Sequence, residues 1–309
     1  MASIINTNLQ SINAQRNLST SSSSLAVSMQ RLSTGLRVNS AKDDAAGLSI
    51  ATRMDSQVRG MNVAIRNAND GISMAQTAES ALGSVTDSLQ RMRELAVQAR
   101  NSTNSFQDVS SLNEEYTQLS EEIARVLGGT TFNGKHILGA EGGELTFQIG
   151  ANTTNDDTIK VTTKNMTTNS DIEALTDYNN NDTAGLFIKD DLDAVTVADD
   201  TTRVDAQNTA MSNVSDHLKD VIDALDKAID TVNSERATLG AVQSRFDAVI
   251  SNLQSAAENQ TAARSRIMDA DFAAETANLS RTQVLQQAGN AMVALANQAP
   301  QQVLALLPR

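Results

Sequence analysis

The sequence predicts a mainly α fold: a long antiparallel coiled coil or helical bundle formed by both chain ends, with a small β-hairpin-rich segment in the middle. Apolar residues recur at alternating spacings of three and four in the first and last thirds of the chain, which is the periodicity of packed helices. The 309 residues include only two Pro, six Phe and two Tyr, with no Trp. So few aromatic residues are unusual in a β-sandwich or an α/β enzyme, and an aliphatic helical core is expected.

The first long apolar series starts at Ala51 and ends at Ala96, with one phase slip. It predicts a single helix roughly 80 Å long, at 1.5 Å per residue, which a turn-like run of Asn and Ser ends. Upstream, Ser40 followed by Asp43 fits a helix-capping pattern. The adjacent carboxylates Asp43 and Asp44 are therefore expected to cap the start of this helix and not to act in catalysis.

Three further apolar series keep the same spacing. One runs from Val109 to Val126 and is ended by Gly128 and Gly129; the others run from Met211 to Val232 and from Leu239 to Ala256. Each series places an apolar stripe on one helix face, and such a stripe has to be covered by the stripes of other helices. The N-terminal and C-terminal thirds are therefore predicted to pack as one elongated bundle.

Short strand-like runs occupy the middle of the chain. They are separated by Asn, Thr, Asp and Gly, which favour turns, and this arrangement predicts hairpins that project from the bundle. The polar run 177–182 is expected at a loop tip. The four strand-like runs are Glu144–Gly150, Thr158–Thr163, Gly185–Lys189 and Ala194–Ala198.

The two ends of the chain combine apolar periodicity with little charge. Residues 1–42 hold four basic residues and no acidic one, and residues 282–308 hold no charge. Isolated helices without strong charge pairs are only marginally stable in water. Both ends are therefore expected to be disordered in the free monomer and to become ordered when copies associate. The predicted polymerisation contacts are Ile5, Leu9, Leu25, Leu32, Leu285, Met292, Val303 and Leu307.

Several functional classes lack their characteristic residues in this sequence. The chain has no Cys, and His136 and His217 lie outside any HExxH pattern, so neither thiol chemistry nor a zinc site is predicted. No phosphate-binding glycine loop and no G-x-S-x-G motif occurs, and no enzymatic activity or cofactor is expected. The net charge of −13 disfavours nucleic acid binding. No apolar run reaches membrane length, and the first residues lack the pattern of a cleavable secretory signal.

Several longer motifs occur together at the two ends of the chain. They are Ile5-Asn-Thr-Asn8, Arg31-Leu-Ser-Thr-Gly-Leu36, Asn39-Ser-Ala-Lys-Asp-Asp-Ala-Ala-Gly47, Phe132-Asn-Gly134, Ser265-Arg-Ile-Met-Asp-Ala-Asp271 and Ala296-Asn-Gln-Ala-Pro-Gln301. In these motifs and their order the sequence resembles bacterial flagellin, the subunit of the flagellar filament. The resemblance covers residues 1–165 and 203–309.

The resemblance implies a division of the chain into three parts. Residues 1–42 and 265–309 would form a terminal coiled-coil domain that lines the filament core. Residues 43–170 and 203–264 would form a rod-like helical domain with a β-hairpin. Residues 171–202, which have no clear counterpart, would form a short variable outer segment.

The resemblance also implies a function, a location and partners. The protein would polymerise into the bacterial flagellar filament for motility, after type III export through the channel of the flagellum, and would be secreted and extracellular. Its partners would be further copies of itself, an export chaperone, the filament cap and the hook–filament junction proteins.

A vertebrate Toll-like receptor that detects flagellin would be a further partner. The family's receptor contacts map onto Arg91, Leu95 and Glu115. A simpler interpretation of the same residues is that Arg91 and Glu115 form an ordinary ion pair between helices and that Leu95 packs between subunits.

Three other functions are compatible with parts of the sequence. A filament–hook junction protein is related to flagellin at its termini but stops at a short ring. A hydrolytic enzyme on a helical scaffold would need a nucleophile–base or metal constellation, and the sequence contains none. A coiled-coil signalling module fits the periodicity but not the terminal motifs.

Overall fold

A computed structural model describes residues 8–177, 185–187 and 203–305, with the side chains of Ser215 and of 299–305 excepted. Among these residues, none of the helices is long and apolar enough to cross a membrane. The helices are α1 (Leu9–Thr34), α2 (Ala45–Ala99), α3 (Phe106–Gly129), α4 (Ser170–Thr176), α5 (Arg203–Met268) and α6 (Phe272–Ala305). The strands are β1 (Thr131–Phe132), β2 (Lys135–His136), β3 (Glu144–Gln148) and β4 (Thr158–Thr162).

The mainly helical prediction is confirmed, and the four apolar series fall within α2, α3 and α5. The two C-terminal series belong to one helix of 66 residues. Helix α3 begins with a capping box, in which the Ser105 side chain accepts a hydrogen bond from the Asp108 backbone and the Asp108 carboxylate accepts one from the Ser105 backbone. Helix α1 ends at Gly35, whose φ of 73° is the left-handed conformation that glycine adopts easily.

The start of α2 differs from the predicted cap in one respect. Asp44 caps the helix, because its Oδ1 accepts a hydrogen bond from the backbone nitrogen of Gly47 at 2.7 Å. Asp43 instead closes the preceding turn, where its Oδ2 accepts hydrogen bonds from the backbone nitrogen and hydroxyl of Ser40 at 2.9 and 3.0 Å. Hydrogen bonding to Ser40 lowers the pKa of the Asp43 carboxyl. The Ser40–Asp43 motif therefore makes a turn, and the helix begins one residue after Asp44.

The described residues form two compact units. The first comprises the described residues within 1–59 and 256–309, and the second comprises those within 60–255. The sequence-based boundaries lay elsewhere, after residues 42 and 264. Helices α2 and α5 each contribute residues to both units without a break.

The first unit contains α1 and α6 as an antiparallel pair. Asn8 Nδ2 donates a hydrogen bond to the carbonyl of Ala296, and Ser11 Oγ donates one to Asn297 Oδ1 at 2.6 Å. Beside the pair, a small apolar cluster of Val38, Ala51 and Met268 is buried. The backbone nitrogen of Arg37 donates to the carbonyl of Met268, which ties this cluster together.

The second unit has a continuous aliphatic core between α2, α3 and α5. Helices α2 and α5 run antiparallel: Gln243 on α5 donates a hydrogen bond to Glu79 on α2 at 2.7 Å. Arg93 and Asp226 form an ion pair further along the same two helices, with Nε and Oδ1 2.7 Å apart. The largest fully buried side chains of this core include Leu82, Leu89, Met92, Leu95, Tyr116, Ile123 and Phe246.

Two antiparallel hairpins lie in the second unit. The predicted hairpin is present: β3 pairs with β4 from Glu144 opposite Thr162 to Gln148 opposite Thr158. The hairpin of β1 and β2 was not predicted, although its turn residues Asn133 and Gly134 have φ values of 50° and 80°. An Asn-Gly pair is the preferred turn for a two-residue hairpin loop, so the signal was present in the sequence.

Two short parts of the predicted outer segment are described, within residues 171–177 and 185–187. Residues 171–176 lie within helix α4, with Ile172 and Leu175 buried in the core of the second unit. Residues 185–187 form a bend, not a strand, and bury Leu186 and Phe187. The described part of the predicted outer segment is thus core, because its apolar side chains have a helical surface to pack on. The predicted strand 194–198, and most of the loop tip 177–182, fall outside the described residues.

Gly71 on α2 allows a close approach of α5. A Cβ at this position would lie 2.7 Å from Cζ of Phe246. Phe246 cannot move aside easily, because it is fully buried and its ring packs edge-on against Phe147 at a centroid distance of 5.5 Å. Gly71→Ala is therefore expected to lower the free energy of unfolding by about 1–3 kcal/mol through overpacking, measured by urea denaturation.

Gly83 on the same helix supplies the matched control. A Cβ there meets no atom within 4 Å, so Gly83→Ala should raise the stability by up to about 1 kcal/mol through helix propensity. Equal effects of the two substitutions would contradict the packing of Phe246 on Gly71.

Candidate functional site

Exposed apolar side chains are concentrated on the two terminal helices. Among the described residues, nine large hydrophobic side chains on α1 and α6 are exposed, compared with four on the rest of the chain. Together these nine form what we call the terminal apolar surface. It consists of Leu9, Ile12, Val27 and Met29 on α1 and Phe272, Val284, Leu285, Met292 and Leu295 on α6.

The contact between α1 and α6 includes buried polar side chains. The buried residues of α1 are Ser11 and Ser28. On α6, Glu275 is buried and lies 3.8 Å from Arg31 of α1, measured from Oε2 to Nη1. Burial of polar groups contributes little to stability beyond satisfying their hydrogen bonds. Leu18, Leu25 and Leu32 of α1 are half-buried, whereas Leu9, Leu285 and Leu295 are exposed. The pair therefore leaves large apolar side chains in contact with water while it buries polar ones.

A groove runs between α1 and α6 on the first unit. Its volume is about 690 Å³, and its apolar lining includes Leu18, Leu285, Met292 and Leu295. Gly289 lets the two helices approach here, because a Cβ at that position would lie 3.2 Å from Cδ1 of Leu18. The groove also contains the polar residues Gln10, Asn13, Asn17 and Ser21. Exposed apolar side chains rimmed by polar residues are typical of a protein-binding site.

The predicted polymerisation contacts can be located in part. Leu9, Leu285 and Met292 are exposed by 61%, 50% and 58% and belong to the terminal apolar surface. Leu25 and Leu32 on α1 are half-buried. Val303 lies in α6 but its side chain is not described, and Ile5 and Leu307 fall outside the described residues.

The three predicted receptor residues do not share one surface. Arg91 on α2 and Glu115 on α3 are exposed and form an ion pair, with Nε and Oε1 2.8 Å apart. Hydrogen bonds to Glu115 and then to Glu94 raise the pKa of the Arg91 guanidinium. Leu95 is fully buried in the core of the second unit. Residues four apart on a helix differ by about 40° around its axis, enough to place one in water and the other in the core.

Both histidines contact backbone carbonyls. His136 Nδ1 lies 2.6 Å from the carbonyl oxygen of Gly128, and the buried His217 has Nε2 3.0 Å from that of Gly185. In the part of the chain that is described, no group of three or more His, Asp or Glu side chains is arranged to hold a metal ion. The histidines have structural contacts in the second unit.

Sequence reasoning missed the residues that hold the segment 185–187. Asn113 Oδ1 accepts a hydrogen bond from the backbone nitrogen of Leu186 at 2.7 Å, and the Phe106 and Phe187 rings lie 5.1 Å apart. Asn113 is buried within the apolar pattern of α3. A polar residue at a core position was the available signal, since buried polar groups are nearly always hydrogen-bonded.

Comparison with known proteins identifies the family. The model of the bacterial flagellin N-terminal helical region matches residues 5–142, and that of the C-terminal helical region matches residues 222–307. The chain belongs to the bacterial flagellin family. It is accordingly a structural subunit of the flagellar filament and not an enzyme.

Individual flagellins are similar over nearly the whole chain. A flagellin of Halalkalibacterium halodurans is 41% identical over 308 residues, which cover 98% of this chain and 99% of that protein. Flagellin C of Vibrio anguillarum is 37% identical over 376 aligned positions, covering 99% and 100% of the two chains. The crystal structure of Bacillus cereus flagellin is 30% identical and covers 64% of this chain and 94% of its own, with a TM-score of 0.42.

The burial of Leu95 has a measurable consequence. Leu95→Ala is expected to lower the free energy of unfolding by about 2–5 kcal/mol, because it leaves a cavity in the core. Val97→Ala on the same helix, at a side chain exposed by 51%, should change it by less than about 0.5 kcal/mol. Urea denaturation of the two variants measures both effects, and a Leu95→Ala variant as stable as Val97→Ala would place Leu95 outside the core.

Proposed function

We propose that subunits join the filament by burying the terminal apolar surface of α1 and α6 against other copies of the chain. The observation that supports this most directly is the exposure of nine large apolar side chains on α1 and α6, Leu285, Met292 and Leu295 among them. Covering this surface removes apolar area from water, which is favourable by roughly 25 cal/mol per Å². Ile5, Leu25, Leu32, Val303 and Leu307 extend the proposed contact along both termini.

The contact is proposed to be heterologous. A surface that binds a different surface of the next copy generates an open helical filament, whereas a self-complementary surface would close a dimer. Residues 1–42 and 265–309 would then form the filament core. The junction-protein alternative uses similar termini but predicts short rings.

Export is the step that must precede assembly. We infer that the subunit leaves the cell through the flagellar channel by type III export, held by an export chaperone, and is added beneath the filament cap beyond the junction proteins. This gives it an extracellular location. The weakly apolar interior of the α1–α6 pair supports the proposal, because helices with little core of their own unfold at low cost.

Truncation and a point substitution test the assembly surface. Deletion of residues 282–309 is expected to leave a folded, soluble helical protein that does not polymerise. Leu285→Asp should have the same effect without shortening the chain, because a buried unpaired carboxylate is costly. We expect at least a tenfold rise in the critical concentration for seeded growth, equivalent to about 1.4 kcal/mol, measured by light scattering and electron microscopy.

Val204→Asp is the matched control for Leu285→Asp. Val204 is exposed by 60% but lies at the start of α5, outside the terminal helices. This variant should polymerise normally. Filaments from the truncated chain or from Leu285→Asp would refute the proposed surface, and short rings from the unmodified chain would favour the junction-protein alternative.

A second proposed function is recognition by the vertebrate Toll-like receptor that detects flagellin. The exposed ion pair of Arg91 and Glu115 supports it, because a charged pair at the surface offers hydrogen bonds to a partner. Leu95, which is buried, would then contribute indirectly, because its packing in the core holds α2 in position.

Receptor reporter cells treated with purified monomer test this second function. Arg91→Ala and Glu115→Ala are each expected to weaken activation about tenfold. Arg125→Ala is the control, since Arg125 is also exposed on α3 and pairs with Glu122. Leu95 needs a stability measurement beside the activation assay, so that unfolding is not mistaken for lost contact. Unchanged activation by both charge variants would contradict the proposal.

A further inference from the structure

Methionine is the most oxidisable residue type in this chain, since Cys and Trp are absent. Its side chains fall into distinct classes of exposure. Met29 on α1 and Met292 on α6 are exposed by 57% and 58%. Met54 and Met211 are half-buried. Met61, Met74, Met92, Met166 and Met268 are buried.

The two exposed methionines both belong to the terminal apolar surface. Met292 lines the α1–α6 groove beside Leu285 and Leu295. Met29 lies on the other helix of the pair. The most accessible thioethers of the described residues are therefore on the surface that the proposed assembly buries, and no other part of that surface carries an oxidisable group.

The chemistry at these side chains is oxygen transfer from a peroxide. The thioether sulfur attacks one peroxide oxygen, the O–O bond breaks, an S–O bond forms, and water leaves when the peroxide is hydrogen peroxide. The sulfur is oxidised by two electrons and the peroxide is reduced by two. The product sulfoxide is a polar hydrogen-bond acceptor in place of an apolar side chain.

We propose that Met292, together with Met29, is a modification site at which a peroxide-class oxidant stops an unassembled subunit from joining the filament. The inference rests on the proposed function, because the sulfoxide matters only if this surface becomes buried. Oxidation replaces an apolar side chain by a polar one, so burial of Met292 then removes less apolar area from water, although Gln10, Asn13, Asn17 and Ser21 also line the groove. Subunits already in the filament are protected, since the same burial excludes the oxidant.

Fractionation of partly oxidised protein tests the proposal without any substitution. Full-length monomer is treated with hydrogen peroxide until part of it is oxidised, quenched and used for seeded growth. Peptide mass spectrometry then gives the sulfoxide at each methionine in the filaments and in the unincorporated protein. We expect sulfoxide at Met292 to be at least about tenfold enriched in the unincorporated fraction, equivalent to about 1.4 kcal/mol. Equal sulfoxide in the two fractions would overturn the proposal.

A variant pair identifies the responsible residues. Met29→Leu with Met292→Leu nearly conserves side-chain volume and removes both thioethers, and this protein should polymerise normally after peroxide treatment. Met54→Leu with Met211→Leu is the control, and it should lose assembly as the unmodified chain does. Loss of assembly in the first variant after treatment would assign the effect to another residue and overturn the proposal.

Leu285→Asp separates failure of this inference from failure of the proposed function. If Leu285→Asp polymerises normally, the terminal apolar surface is not the assembly contact and both proposals fail. If Leu285→Asp is blocked while sulfoxide-bearing subunits are incorporated as well as unoxidised ones, only the modification site is refuted.

Discussion

The exposure of large apolar side chains on α1 and α6 is the constraint on which the proposed assembly depends. The pair is joined in part by polar groups, Ser11 with Asn297 and Arg31 with Glu275, while Leu9, Leu285 and Leu295 stay in contact with water. The free energy that would ordinarily stabilise a monomer is thereby left for association. A polymer subunit needs this property, because a terminal domain that buried all of its own apolar side chains would gain little free energy from binding the next copy.

The second unit instead buries its large apolar side chains in a core of its own. Its core of aliphatic side chains with Tyr116 and Phe246 is continuous across α2, α3 and α5, and the β3–β4 hairpin adds Ile159 and Val161 to it. A monomer built this way can be folded while its termini remain marginal. Under the proposed assembly, the second unit supplies stability and the first supplies the contact between copies, although α2 and α5 contribute residues to both.

The three predicted receptor residues differ in their exposure to water, although they were predicted together from the sequence. Arg91 and Glu115 are in contact and exposed, whereas Leu95 is in the core. Substitution of any of the three could reduce the same activity for different physical reasons. The free energy of unfolding and the receptor response therefore have to be measured separately for variants of these residues. Variants of the terminal apolar surface also need a separate stability measurement, because their residues belong to the helices α1 and α6 themselves.

Sequence periodicity by itself determined the long helices, since the three–four spacing of apolar residues is a local property of each segment. Strand-like runs separated by turn residues predicted the β3–β4 hairpin, and the terminal motifs indicated the flagellin family. Only the tertiary structure decided that Asp44 caps α2, that Leu95 is buried, that residues 185–187 pack into the core through Asn113 and His217, and that Ser11, Ser28 and Glu275 are buried in the α1–α6 pair. Each of these depends on which side chains from distant parts of the chain meet, and a 3.6-residue period does not specify the partner that a given face will find.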